Sequence, residues 1–233
     1  MGAYSVTELS VSFVSGGKTI PIDCFIPKSD REPSGFPAII ALHGSGGGHD
    51  SLAEIARPLA AKGFCVYVPH YFDRTGTVEA QMPGMFLNFL LWMKTLWDVV
   101  SLIAQQPAVN GERIGVLGFS LGAYLALSLG SIDARVKAVA EYFGGLPREI
   151  RPFIRRLPPT LILHGDADTV VPVAEAFSLE EALKERKVPY ELEIYPGEGH
   201  HFTAETRTKA DARMHAFFGK YLAGTDHQTR GVD

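Results

Sequence analysis

A serine hydroxyl is a poor nucleophile at neutral pH unless a base takes its proton and a third group orients that base. Gly118-Phe119-Ser120-Leu121-Gly122 places a serine where such help can be arranged. It follows the strand-like Arg113-Ile114-Gly115-Val116-Leu117 directly and precedes the helical run Ala123-Tyr124-Leu125-Ala126-Leu127. A strand that turns this abruptly into a helix strains its central residue and presses backbone against backbone, so both flanking positions must be small. Gly118 and Gly122 meet that need. The Ser120 hydroxyl then stands exposed at the carboxyl edge of a sheet, beside the first amides of the following helix.

Such a turn predicts an acid and then a histidine downstream, each just after a later strand. Thr160-Leu161-Ile162-Leu163-His164-Gly165 ends in the acidic loop Asp166-Ala167-Asp168, and Tyr195-Pro196-Gly197-Glu198-Gly199 ends in His200-His201. The gaps between serine, acid and histidine each let the chain cross a helix and return to the same sheet edge. Of the eight histidines, His43, His49, His70 and His164 precede the last strand, His215 lies in the final helix and His227 in the tail. Only His200 and His201 have the required placement, and spacing alone separates neither these two nor Asp166 from Asp168.

An attacked carbonyl also needs amide donors for the oxyanion, each able to contribute about 3 to 4 kcal/mol. The Leu121 amide is the first candidate. The second is expected from the unhindered loop His43-Gly44-Ser45-Gly46-Gly47-Gly48, through Ser45 or Gly46. A phosphate-binding role for this loop fails on detail, because no Gly-Lys-Ser/Thr follows and no G-x-G-x-x-G precedes an acid at the usual distance. With neither an H-E-x-x-H helix nor a cysteine–histidine cluster, no metal site is predicted.

The elements that must position these groups follow from periodicity. Ser5 to Val14 alternates, turns at Ser15-Gly16-Gly17-Lys18 and resumes from Thr19 to Ile26, as an antiparallel hairpin does. Ala38 to Leu42 and Phe64 to Val68 are short apolar runs suited to strands covered on both faces, separated by a helical pattern from Ser51 to Lys62. The alternation continues with a helix around Met85 to Gln105, a strand at Ile114 to Leu117, a helix from Ser120 to Leu129 and a strand at Val136 to Tyr142. A strand at Thr160 to Leu163, a helix at Val173 to Lys187, a strand at Tyr190 to Ile194 and a helix at Thr206 to Tyr221 complete it. The pattern predicts a mainly parallel sheet with helices on both faces, in one α/β domain over 1–223, followed by a polar tail, 224–233. Met82 to Trp97 is rich in Met, Phe and Trp and has two readings: a hydrophobic wall of the site, or an amphipathic helix packed on the sheet or in a dimer contact.

The chain has 233 residues, 46% of them hydrophobic, and a net charge of −4, which offers no overall basic field for a nucleic acid or an anionic membrane. The four arginines between Arg148 and Arg156 are interrupted by Glu149 and Pro152 and read as a solvated loop. Met85 to Met93 is too short for the roughly 20 residues of a membrane span. Cys24 and Cys65 sit in apolar runs and read as buried free thiols. With no targeting pattern visible, a cytoplasmic protein is expected, as a monomer or homodimer acting on a small molecule, without nucleic-acid or membrane partners.

Four segments resemble the dienelactone hydrolase family of the α/β-hydrolases. They are His43-Gly44-Ser45, Gly118 to Gly122, His164-Gly165-Asp166-Ala167-Asp168-Thr169-Val170-Val171-Pro172, and Tyr195 to Phe202. The resemblance implies an α/β-hydrolase fold, a three-layer sandwich with a mostly parallel, roughly eight-stranded sheet and an N-terminal antiparallel hairpin. It also implies Asp168 rather than Asp166 as the acid and His200 rather than His201 as the base. The implied activity is that of a serine esterase or lactonase working through an acyl-enzyme, with no cofactor. Dienelactone hydrolases of the founding type carry cysteine at the turn and a glutamate in the first oxyanion loop, where Ser120 and His43 stand here. Of the two arginines that bind the substrate carboxylate in those relatives, Arg74 matches one, while the other falls at Ala204. Arg74 and His43 are therefore the substrate-binding candidates, and half an anion clamp favours a general esterase over a small anionic lactone. Peptidase chemistry of the oligopeptidase type and a non-catalytic ligand-binding α/β-hydrolase fold are the competing expectations; the latter usually lacks a triad member, and none is missing here.

Overall fold

The computed structural model describes residues 3–29, 35–148, 150–154 and 156–222. The predicted tail and part of the loop before the third strand lie outside them. Eight strands form one sheet: β1 (Val6–Ser15), β2 (Lys18–Pro27), β3 (Phe36–Leu42), β4 (Cys65–Pro69), β5 (Val109–Phe119), β6 (Val136–Tyr142), β7 (Thr160–Gly165) and β8 (Tyr190–Tyr195). Their spatial order is β1-β2-β4-β3-β5-β6-β7-β8. The β1–β2 hairpin is antiparallel and β2 joins β4 antiparallel, while every later pairing is parallel.

Strand side chains alternate between two cores, as a sheet covered on both faces requires. Ala38, Ile40 and Leu42 of β3 face one core, and Ile39 and Ala41 face the other. The first core is roofed by α2 (Gly84–Ile103), α3 (Leu121–Ile132) and α4 (Ala174–Glu185), the second by α1 (Ala53–Ala61) and α5 (Ala204–Leu222). This is the expected three-layer α/β sandwich. Gly115 of β5 has a packing reason: a Cβ there would lie 2.7 Å from Leu222 Cδ1 and 2.8 Å from Phe218 Cε1 of α5.

Three expectations need adjustment. β5 runs from Val109 rather than Ile114, because Phe36 pairs with Val109 across a register shift that carries the polar Asn110 to Arg113 into the strand. The described arginines of the 148–156 run do not form a solvated patch. Arg156 donates to the carbonyls of Gly130, Asp133 and Val136, Arg151 to Leu146 O and Ser178, and only Arg148, bridged to Glu175, is largely exposed.

α2 is the third case. At 20 residues it is long and apolar enough, by length and composition, to cross a membrane, whereas the run Met85 to Met93 within it is too short. Its Trp92, Met93, Leu96, Val99, Val100 and Ile103 are buried against the sheet, and Ser15 at the hairpin tip donates to its Asp98 at 2.7 Å. The opposite stripe, Phe86, Leu87, Leu90 and Leu91, is exposed.

Candidate active site

Parallel strands ending at one edge bring the loops after β3, β5, β6, β7 and β8 together there. The turn after β5 has the strain its glycines announce. Ser120 sits at φ 53°, ψ −118°, outside the regions L-residues favour. A Cβ on Gly118 would lie 2.3 Å from Gly122 O, and one on Gly122 would lie 2.4 Å from Leu42 O. Both clashes are with backbone, so no side-chain rotation relieves them.

The Ser120 hydroxyl lies 3.0 Å from His200 Nε2, and His200 Nδ1 lies 2.8 Å from Asp168 Oδ2. A carboxylate only accepts, so Nδ1 carries the proton and Nε2 is left to accept from the serine. Asp168 is itself held. Its Oδ1 accepts the amides of Val170 and Val171 at 2.8 and 2.9 Å. Burial works to raise its pKa, but the His200 hydrogen bond, the two amides and the His200 charge together lower it below the ordinary value, so the carboxylate stays ionised.

The other acid and the other histidine have different places. Asp166 accepts the Gly197 amide at 2.7 Å, clamping the loop after β7 to the loop after β8, where Gly165 approaches the Glu198 carbonyl too closely for any Cβ. His201 is exposed at the rim, its ring 5.6 Å from that of His200.

Two participants escaped sequence reasoning. His164, fully buried, donates Nε2–H to Val171 O at 2.9 Å and lies 3.4 Å from Asp168 Oδ2; burial lowers its pKa and keeps the ring neutral. It braces the turn that aims Asp168. Phe143, at φ 57°, packs its ring 5.3 Å from that of His200 and forms the floor beneath it. His164 was visible within the H-G-x-x-D segment; Phe143 gave no signal, because its role depends on a backbone bend after β6.

A cleft of about 430 Å³ opens over Ser120, lined among others by His43, Ser45, Gly46, Phe143, His200 and Arg207. Leu121 is the first residue of α3, so its amide has no carbonyl partner within the helix. Ser45 and Gly46 line the cleft. Their loop is closed by Gly47 N donating to Gly44 O at 3.1 Å and anchored by Ala80 N donating to Ser45 O at 2.7 Å.

His43 is buried, donates Nδ1–H to Gly44 O at 2.8 Å and stacks on Tyr71 at 4.3 Å. Burial lowers its pKa to about 4, so it stands at the cleft as a neutral ring. Arg74 departs from expectation: it is absent from the cleft lining, and its Nη1 donates to Gly16 O at 2.6 Å in the β1–β2 turn. The hairpin tip captures it. Among the described lining residues the guanidinium belongs instead to Arg207, paired with Asp211 at 2.9 Å and seated over the rings of Phe119 and Tyr142. No residue of α2 lines the cleft, so the hydrophobic-wall reading of Met82 to Trp97 is not met.

A mostly parallel eight-stranded sheet between helical layers, with a strained residue at the turn after its fifth strand, is the α/β-hydrolase fold. Residues 22–221 match the model of the dienelactone hydrolase family, and the chain belongs to that family. It is similar to a Yersinia pestis protein provisionally named carboxymethylenebutenolidase, 24% identical over 213 residues that cover 82% of this chain and 80% of the relative. A provisionally assigned dienelactone hydrolase from Klebsiella pneumoniae subsp. pneumoniae superposes with a TM-score of 0.80 at 21% identity, over 93% of this chain and all of the other. A dienelactone hydrolase-like promiscuous phosphotriesterase from metagenomic libraries gives 0.79 at 19% identity, over 95% of this chain and all of the other.

Proposed function

We propose that this protein hydrolyses carboxylic esters or lactones with Ser120 as nucleophile, His200 as general base and acid, and Asp168 as the group that orients the imidazole. The observation that carries this is the unbroken relay from Ser120 through His200 to Asp168, at 3.0 and 2.8 Å. His200 takes the serine proton as Oγ attacks the carbonyl carbon, and the resulting imidazolium is stabilised by the ionised Asp168. The amides of Leu121 and of Ser45 or Gly46 receive the oxyanion. Collapse expels the alkoxide, which takes the proton from His200; water, deprotonated by the same ring, then releases the acid from Ser120.

A cleft of about 430 Å³ suits a small or medium acyl group. Carboxymethylenebutenolidase chemistry, the opening of an unsaturated lactone, is one member of the class. The buried Cys24 and Cys65 thiols, both pushed up to about 12 chiefly by burial, suit a reducing compartment, and a cytoplasmic location belongs to this reading.

The test is hydrolysis of p-nitrophenyl esters of increasing acyl length by wild type and Ser120→Ala, with intact mass after fluorophosphonate treatment. Turnover lost in the variant and one adduct on wild type are expected. An adduct without ester turnover would redirect the substrate towards amides or peptides. The absence of both adduct and turnover would overturn the reading in favour of a ligand-binding protein.

A further inference from the structure

Beside the cleft, on the α1 side of the sheet, three side chains from separate segments converge, with the His49 ring 6.5 Å from that of the cleft residue His43. Asp23 comes from β2, His49 from the turn after the glycine-rich loop, and His70 from the residue after β4. One ligand atom from each lies within 4.8 Å of the other two. His70 Nε2 and Asp23 Oδ2 are 2.7 Å apart, and the His49 and His70 rings stack with centroids 3.6 Å apart. We propose that Asp23, His49 and His70 form a binding site for a divalent transition metal of the zinc class.

The donor chemistry fits such an ion: two imidazoles and one carboxylate are nitrogen and oxygen ligands suited to zinc and its first-row neighbours, with a fourth position left for water. The distances bracket what such an ion needs. Ligand atoms at about 2.0 to 2.2 Å from a tetrahedral ion stand roughly 3.4 Å from one another. Asp23 and His70, now at hydrogen-bond distance of 2.7 Å, must part by about 0.7 Å to reach this spacing, and the remaining adjustment falls on His49. That side chain is 35% exposed and follows Gly47 and Gly48, both at positive φ, in a loop able to swing its ring off the stack. On binding, the metal replaces the hydrogen shared between His70 Nε2 and Asp23. The His70 ring keeps one proton, on Nδ1; a ring that begins as imidazolium releases its second proton to solvent.

The surroundings favour a cation. Asp23 and His49 line an open groove of about 590 Å³ together with Glu8, Asp50, Glu54 and Arg57. Among the described lining residues Arg57 is the one permanent cation, and Glu8 holds it through bonds of 2.6 and 2.9 Å. Asp50 lies 3.6 Å from His49 Nε2. Asp23, Asp50 and Glu54 thus surround the imidazoles with negative potential not cancelled by a basic side chain. The sequence gives no spacing signal here because strand pairing, not a local motif, brings β2 beside β4.

Chelator-treated full-length protein should be titrated with Zn²⁺ against a chromophoric competitor and with Co²⁺ by visible absorption, for wild type, His49→Ala, His70→Asn and His201→Gln. His49 is part-exposed and Asn at 70 retains a donor for Asp23, so both variants should fold; circular dichroism and thermal melts check this. One equivalent of metal bound by wild type and His201→Gln, weakened at least 10-fold in both other variants, is expected. No saturable equivalent in wild type would leave the cluster a hydrogen-bonded pair with a stacked ring and overturn the proposal. Binding that survives both substitutions, or falls with His201→Gln, would mean an adventitious ion elsewhere and overturn it equally.

Discussion

Glu141 lies on β6 opposite Gly118 of β5 and is completely buried. Its Oε2 accepts the Gly144 amide at 2.8 Å, and its Oε1 has no partner. Burial pushes its pKa from 4.5 up to about 8, only partly opposed by the Gly144 amide. In the unfolded chain the carboxyl titrates near its ordinary value. Between pH 4.5 and about 8 the folded state therefore holds one more proton than the unfolded state, and stability falls as pH rises through this window. The window spans roughly 3.5 pH units, which at about 1.36 kcal/mol per unit gives a loss of about 5 kcal/mol.

Glu141→Gln removes the titration and keeps a carbonyl oxygen for Gly144. At pH 4.5 and below, where Glu141 is protonated and nearly isosteric with Gln, the two proteins should differ by no more than about 1 kcal/mol. By pH 8 the variant should be the more stable by several kcal/mol, with the difference level above that. Urea unfolding at pH 4.5, 6, 7, 8 and 9, taken as variant minus wild type, cancels the other titrating groups. A difference constant to within about 0.5 kcal/mol across the window would refute an uncharged buried carboxyl in the native state.

Other outcomes follow from the site. Ser120→Ala should lower kcat by roughly 10⁴- to 10⁶-fold while leaving the melting temperature close to wild type, and Asp168→Asn, which misdirects the His200 tautomer, by about 10⁴-fold; steady-state ester hydrolysis and thermal melts check both. His164→Leu removes the donor that braces Val171 and Asp168, so kcat should fall about 10- to 100-fold with KM little changed. An unchanged kcat would deny the positioning role. Gly122→Ala forces a Cβ against the Leu42 carbonyl at 2.4 Å and should destabilise by about 3 kcal/mol or more, read by chemical denaturation. Arg207→Gln should raise KM for esters bearing a carboxylate and leave neutral esters nearly unaffected; equal KM changes for both would remove Arg207 from substrate recognition.

The strand and helix alternation was legible because each element buries its own face: continuous apolar runs for strands covered on both sides, wider periodicity for helices. The turn around Ser120 was legible for a similar reason, since Gly118 and Gly122 are demanded by backbone contacts within a few residues of the serine and by the neighbouring β3. Chain order placed an acid and a histidine after β7 and β8 but left two of each. Resemblance chose between them, and the geometry gives each a distinct partner: Asp168 meets His200, while Asp166 ties down Gly197.

What only the tertiary structure decided are contacts between segments distant in the chain, which no local period encodes. Arg74 turns to the Gly16 carbonyl because the hairpin folds back over it, and Arg207 reaches the cleft because α5 crosses behind Phe119 and Tyr142. His164 becomes a brace and Glu141 an acid with a raised pKa through burial that residue type alone does not reveal. Asp23, His49 and His70 meet because β2 pairs with β4 and the glycine-rich loop lies above them. The sequence by itself determined the order of the elements and which serine occupies the strained turn, since periodicity and the glycines flanking Ser120 are both read along the chain. The partners of Arg74 and of His70 were settled by strand order, which exists only once the sheet has assembled.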